Sequence, residues 1–218
     1  MKTILAIYTG KGLQDPLSAV INQYPFRQLS IIDDTIIGEC VKAGKVTDQA
    51  QNRLIKYYRA AADMGADIIL NTCSSVGDVA DEYAKESCIP LVRIDEAMAE
   101  TAIHSHNKIA VVATLNTTLD PTMRLIKAKA VKTGKQVEVI NALAEGAFDA
   151  LVTGNPQEHD EIIMRTVAGI KDADCFVLAQ ASMMRMEAKL KEVAGIPVYS
   201  SPRLCMERLA AQYATERM

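Results

Sequence analysis

Histidine is scarce, with three in 218 residues, and no two of the five cysteines stand at CxxC spacing. His104 and His106 straddle the predicted end of a helix instead of sharing one face at i, i+4, so no metal centre is expected. Cys40, Cys73, Cys88, Cys175 and Cys205 are odd in number and scattered, which reads as reduced thiols and not as a disulfide framework. Basic blocks and aromatic–basic interleaving are missing too. Twenty-four Lys and Arg against 27 Asp and Glu leave a formal charge of -3, which argues against a nucleic-acid partner. No apolar run is long enough to cross a bilayer. The first, in MKTILAIYTG, ends before Thr9, Gly10 and Lys11. It is too short for a signal peptide and reads as a first strand, so the protein is expected in the cytoplasm, with no membrane partner.

What the chain does have is apolar content, 49%, enough to bury a substantial core without metal or disulfide staples. Strand-like apolar runs fall at Thr3–Tyr8, Gln28–Ile32, Asp67–Leu70, Leu91–Ile94, Lys108–Ala113, Val137–Ile140, Phe176–Ala179 and Val198–Ser200. They alternate with amphipathic stretches such as Gln49–Met64, Pro121–Thr133, Glu158–Lys171 and Met183–Val193. That rhythm is the signature of βα units winding a parallel sheet, so the fold class is α/β. No low-complexity segment separates the runs.

An internal repeat organises them. Asp67-Ile-Ile-Leu-Asn-Thr-Cys73-Ser-Ser75 matches Asp174-Cys-Phe-Val-Leu-Ala-Gln180-Ala-Ser182 at an offset of 107. Ile89-Pro90 with Ile196-Pro197, and Ile55 with Ile162, fall at the same offset. Nearer the start, Lys2 opens a strand that leads through Thr9 to Asp15-Pro16. Lys108 opens one that leads through Thr114 to Asp120-Pro121, a pairing read as slipped by one residue. Several matches in one register predict two pseudo-symmetric lobes, each a mostly parallel four-stranded sheet flanked by helices. Lobe one is read as 1–94 plus 202–218, with the last helix packing back on it, and lobe two as 95–201.

In open α/β sheets ligands gather beyond the carboxyl ends of strands, where backbone N–H groups point outward. The ends that matter are Thr9 onward; Asn71, Thr72, Cys73, Ser74 and Ser75; Thr114, Asn116, Thr117 and Thr118; and Gln180, Ala181 and Ser182. Hydroxyls and amides dominate and charge is nearly absent, which suits a small carboxylate held by neutral donors. Thr114, Thr117 and Thr118 also suit capping of a helix beginning near Asp120. Cys73, set among small polar residues before a helix N-terminus, is placed to act as base or nucleophile. The other four cysteines read as small buried hydrophobes in apolar surroundings.

Asp67 to Ser75, Val111 to Thr118, Val177 to Ser182 and Val198 to Arg203 together resemble the aspartate/glutamate racemase superfamily, which also holds hydantoin racemases, maleate isomerases and arylmalonate decarboxylases. The resemblance spans nearly the whole chain. It implies a homodimer with no cofactor and an active site in the cleft between two lobes. It also implies one cysteine from each lobe on opposite faces of a carboxylate substrate, one removing the Cα proton and the other delivering one. The first family cysteine falls on Cys73 and the second on Gln180, an amide with no proton to exchange at accessible pH. The expected activity is racemisation, epimerisation or isomerisation at the carbon alpha to a carboxylate through Cys73. Two alternatives are decarboxylation by a single cysteine and a non-catalytic small-acid-binding protein. If racemisation persists, the second proton is assigned to Asp33, Asp34 or a water on Ser182.

Overall fold

A computed structural model describes residues 1–214. All eight apolar runs form strands, and every pairing is parallel. In chain order the first elements are β1 (Lys2–Tyr8), α1 (Gln14–Ile21), β2 (Phe26–Ile32), α2 (Ile36–Ala43), α3 (Asp48–Asp63), β3 (Ile68–Asn71), α4 (Gly77–Ala84) and β4 (Leu91–Arg93). There follow α5 (Glu96–Ser105), β5 (Lys108–Ala113), α6 (Asn116–Lys132), β6 (Glu138–Leu143), α7 (Ala147–Val152), α8 (Pro156–Gly169), β7 (Cys175–Leu178), α9 (Glu187–Ala194), β8 (Val198–Ser200) and α10 (Ser201–Ala214). The chain divides into two compact units, one of Met1–Glu96 with the segment from Pro202 onward, the other Ala97–Ser201. Of the segment 202–218 assigned to lobe one, residues 215–218 lie outside the described residues.

The two units carry four-stranded sheets of matching order, β2-β1-β3-β4 and β6-β5-β7-β8. In the first, Ile4, Leu5, Ala6, Ile7 and Tyr8 are wholly buried on both faces of β1, as a central parallel strand demands. Its core joins Leu5, Ile7, Leu54, Tyr58, Ala61 and Ile69. Helix α3 presents that face because Ala50, Leu54, Tyr58 and Ala61 recur at helical spacing, and Thr47 Oγ1 caps its start by accepting from Ala50 N at 3.1 Å. In the second unit α8 is built likewise. Asn155 Oδ1 accepts from Glu158 N at 3.2 Å, and His159, Ile163 and Val167 form the buried stripe.

The repeat extends to individual hydrogen bonds. Asp67 N donates to Thr3 O at 2.8 Å, as Asp174 N does to Lys108 O at 2.8 Å. Ile69 N donates to Pro90 O at 2.8 Å, as Phe176 N does to Pro197 O at 2.9 Å. The carboxylates repeat as well: Asp67 Oδ2 accepts from Thr3 N at 2.7 Å and Asp174 Oδ2 from Lys108 N at 2.8 Å. These bonds correct the register near the start. Lys108 is equivalent to Thr3, not Lys2, so the slip between β1 and β5 is two residues. The two lysines invited the wrong alignment because both open strands.

Two helix readings also change. Helix α6 begins at Asn116, after Leu115 in extended conformation, and Pro121 lies inside it. A proline in the second turn forfeits only the bond to Thr117 O, so it did not mark the start. The stretch expected as one helix from Met183 is a 3-10 segment, Ala181–Met186, followed by α9. Cys40, Cys175 and Cys205 are buried as expected, whereas Cys88 is exposed in the turn before β4.

Candidate functional site

In the first unit the chain leaves β3 at Asn71 and passes through Cys73 in extended conformation (φ -125°, ψ 116°) into a 3-10 turn, Ser74–Val76, that leads to α4. The Cys73 carbonyl accepts from Val76 N at 3.3 Å. It also accepts from Asn71 Nδ2 at 3.0 Å, and Asn71 Oδ1 accepts from the Tyr58 hydroxyl at 3.1 Å. Cys73 is half-buried against the core of this unit. Of the residues assigned to substrate, Asn71 is fully buried and commits both arms of its amide internally, while Thr72 Oγ1 donates to Ile7 O at 2.8 Å. In this structure both side chains are thus bonded within the unit. Ser74, Ser75 and Thr9, at the ends of β3 and β1, are also buried, leaving Cys73 as the accessible side chain of the turn.

The other thiols differ in kind. Burial, with Asp174 adding to it, pushes Cys175 up to about 12. Burial does the same for Cys205, to about 12, and it raises Cys40. All three are protonated at neutral pH. Burial also raises the Tyr58 phenol, and the neighbouring Cys73 adds to that. Tyr58 is therefore a hydrogen-bond donor and not a base.

Beneath the turn lies a group that sequence reasoning missed. Arg93, at the end of β4, forks onto Asp95 with Nε–Oδ1 3.0 Å and Nη2–Oδ2 2.9 Å, and reaches Asp81 through Nη1 at 2.7 Å. Its guanidinium lies flat against Gly77, where a Cβ would come within 2.3 Å of Arg93 Cζ. The signal was available: Arg93 and Asp95 are charged residues at the end of a short apolar strand and two residues beyond it.

In the second unit, Thr114, Asn116, Thr117 and Thr118 lie after β5, and Gln180, Ala181 and Ser182 after the neighbouring β7. Gln180 (φ -110°, ψ 126°) repeats the backbone of Cys73, and its carbonyl accepts from Met183 N at 2.9 Å. Its side chain is held by Thr114: Oε1 accepts from Thr114 N at 2.9 Å, and Nε2 donates to Thr114 Oγ1 at 2.8 Å. Asn116 and Ser182 are exposed, while Thr118 and Ala181 are buried. Thr117 Oγ1 is buried without a partner. The N-cap of α6 is Leu115, which makes no side-chain cap, and Thr117 and Thr118 lie inside the helix.

Both acidic residues considered as a second proton source have partners. Burial pushes the Asp33 carboxyl up, but hydrogen bonds from Thr35, Tyr57 and Arg53 outweigh it and hold it at about 2. Asp34 pairs with the exposed Lys11 at 2.5 Å. Among the described residues no cluster of His, Cys, Asp and Glu is built to hold a metal, and no helix is long and apolar enough to cross a membrane.

Solved structures share the fold. A glutamate racemase from Bacillus anthracis matches with a TM-score of 0.74 at 16% identity, covering 99% of this chain and 82% of the other. An aspartate racemase from Picrophilus torridus gives 0.72 at 14%, covering 97% and 95%. An allantoin racemase from Klebsiella pneumoniae gives 0.69 at 16%, covering 99% and 89%. Among curated proteins none matches this sequence. The duplicated β2-β1-β3-β4 architecture is thus one that racemases share, and the model of the Asp/Glu/hydantoin racemase family matches residues 28–209. This chain belongs to the Asp/Glu/hydantoin racemase family.

Proposed function

We propose that the protein is an isomerase that exchanges the proton on the carbon alpha to a carboxylate of an amino acid or small organic acid, with Cys73 as the proton-transferring group. The observation that carries this reading is the Cys73 turn: a half-buried thiol at the carboxyl end of a central strand, while three other thiols are buried and protonated. The Cys73 thiolate takes the Cα proton and the electron pair moves into the carboxylate as an enediolate. Backbone N–H groups of the turn after Cys73 stabilise the charge developing on the oxygens. A proton returned to the opposite face inverts the centre, and one returned to the same face restores it.

Gln180 stands at the second strand end and has no proton to give. The return proton then comes from solvent or from a group carried by the substrate, with no metal or organic cofactor in the sequence of steps. A second reading follows from that same amide: a single-thiol decarboxylase, in which loss of CO2 generates the enediolate and Cys73 protonates one face. The natural partners on either reading are a small carboxylate and a second copy of the chain.

The test is incubation in D2O with amino acids, hydroxy acids and 2-substituted malonates, followed by proton NMR and optical rotation, with Cys73→Ala alongside. Loss of the Cα proton signal with loss of optical purity, abolished in the variant, is the expected result. Loss of CO2 with deuterium on one face selects the decarboxylase. Exchange that survives Cys73→Ala refutes both.

A further inference from the structure

We propose that Tyr58, acting through Asn71, is a positioning residue for Cys73, a proposal that rests on Cys73 being the working thiol. The path is continuous: Tyr58 hydroxyl to Asn71 Oδ1 at 3.1 Å, and Asn71 Nδ2 to the Cys73 carbonyl at 3.0 Å. Tyr58 at neutral pH has a proton to donate, so it fixes which end of the amide faces it. The Asn71 carbonyl must turn to the phenol, and its N–H2 group must turn to Cys73. In a trans peptide the C=O and the following N–H point to opposite sides. Holding the Cys73 carbonyl on the Asn71 side therefore sends the Ser74 N–H away from it, and fixes the torsion that carries the Cys73 side chain.

The second unit supplies the control. It makes the same strand-to-turn passage, with Gln180 in the conformation of Cys73 and its carbonyl accepting from Met183 N at 2.9 Å. Yet Leu178 occupies the place of Asn71, and the buried face of α8 consists of His159, Ile163 and Val167, with no tyrosine. The backbone turn thus forms without an amide beneath it. A fully buried Asn and a fully buried phenol carry a desolvation cost that the fold alone does not require. They occur where the turn carries a thiol.

Two titratable groups in electrostatic reach of Cys73 are Tyr58 on α3 and Cys40 on α2; Arg93 and Asp81 reach Tyr58 in turn. The experiment reads the thiol directly. In a Cys88→Ser background, which removes the exposed cysteine, the rate of Cys73 carbamidomethylation by iodoacetamide is followed against pH by peptide mass mapping. The variants are Tyr58→Phe, Asn71→Leu and Asn71→Ala. All three are expected to slow Cys73 alkylation near neutral pH by about tenfold, the size of one lost hydrogen bond, and to displace the rate–pH curve upward. Asn71→Leu is informative even where Tyr58→Phe folds poorly, because it removes the donor to Cys73, adds no charge, and is the residue that the second unit carries at this place. A lowered melting temperature with an unchanged curve in the Asn71 variants overturns the proposal and leaves the pair a brace of the fold. An unchanged curve in a folded Tyr58→Phe removes Tyr58 from it. Alkylation needs no substrate, so a failure to find turnover counts against the proposed reaction and not against this relay.

Discussion

Replacing Gly77 by alanine opposes two effects of known size. Gly77 is the first residue of α4 with φ -60°, so by helix propensity alone the change is favourable by at most about 1 kcal/mol. Against that, the new Cβ falls 2.3 Å from Arg93 Cζ, 2.4 Å from Nη2 and 2.7 Å from Nη1. These atoms are not the loose end of a surface side chain. Arg93 and Asp95 are 3% and 1% exposed, and the fork between them has nowhere to move. The Asp81 arm is 55% exposed on the carboxylate side and contributes little. Disrupting a buried pair costs about 3–5 kcal/mol, so the net loss is about 2–4 kcal/mol, or a fall of about 5–15 °C in Tm for a chain of this size. Urea denaturation followed by circular dichroism measures it. Gly38→Ala, also early in a helix but with open space where its Cβ would go, is the matched control and should gain stability. Equal behaviour of the two variants would show that the Arg93 packing does not constrain Gly77.

Acid stability should report Asp33. Its folded value of about 2 lies below the usual unfolded carboxylate value, so the stabilisation is present above about pH 4 and is lost as pH falls toward about 2, of order 1–2 kcal/mol after solvent screening. Asp33→Asn should flatten that limb of a stability–pH curve; an unchanged limb would mean that Arg53, Tyr57 and Thr35 give Asp33 no net preference for charge. Gln180→Cys places a second thiol on a turn of the same backbone form as that of Cys73. On an exchanging substrate it should raise loss of optical purity relative to total deuterium uptake. A folded variant with unchanged partition would argue that the second strand end does not face the reacting carbon.

The fold was legible because burial on both faces of a parallel strand leaves near-continuous apolar runs, and because the duplicated chain repeats them. Ile69 and Phe176, whose N–H groups donate to Pro90 O and Pro197 O, keep the offset that the Ile-Pro turns announced. The register of β1 against β5 was harder to read, since Lys2 and Thr3 are both compatible with a strand opening and only the bond to Asp67 N distinguishes them. Strand ends could be marked from sequence, but the direction of their side chains could not. Asn71 and Thr72 have the same polarity as Ser182, yet the first two point inward to partners from α3 and β1 while the last is exposed. Arg93 and Tyr58 escaped notice because each is distant in sequence from the turn it supports and joins it only through the packing of α3 and β4 on β3.

The differences between the two units bear on chemistry more than their likeness does. Backbone geometry at Cys73 and Gln180 is nearly the same, so the scaffold tolerates either side chain there. What diverges is the polar layer below. In the first unit Asn71, Gly77 and Arg93 are set against Tyr58, Asp81 and Asp95; at the corresponding positions the second unit has Leu178, Met184 and Ser200, and its 3-10 segment runs on through Met186. Met184 cannot lie under a flat guanidinium, and Ser200 instead donates to Glu187. In exchange, the second unit closes its turn from above, with the Gln180 amide on Thr114 N and Oγ1. The Asn71 bond holds the Cys73 turn by its carbonyl and does not involve the thiol, whereas the bonds to Thr114 hold Gln180 through its side chain. One duplicated backbone turn is thus supported in two different ways, by its main chain in the first unit and by its side chain in the second.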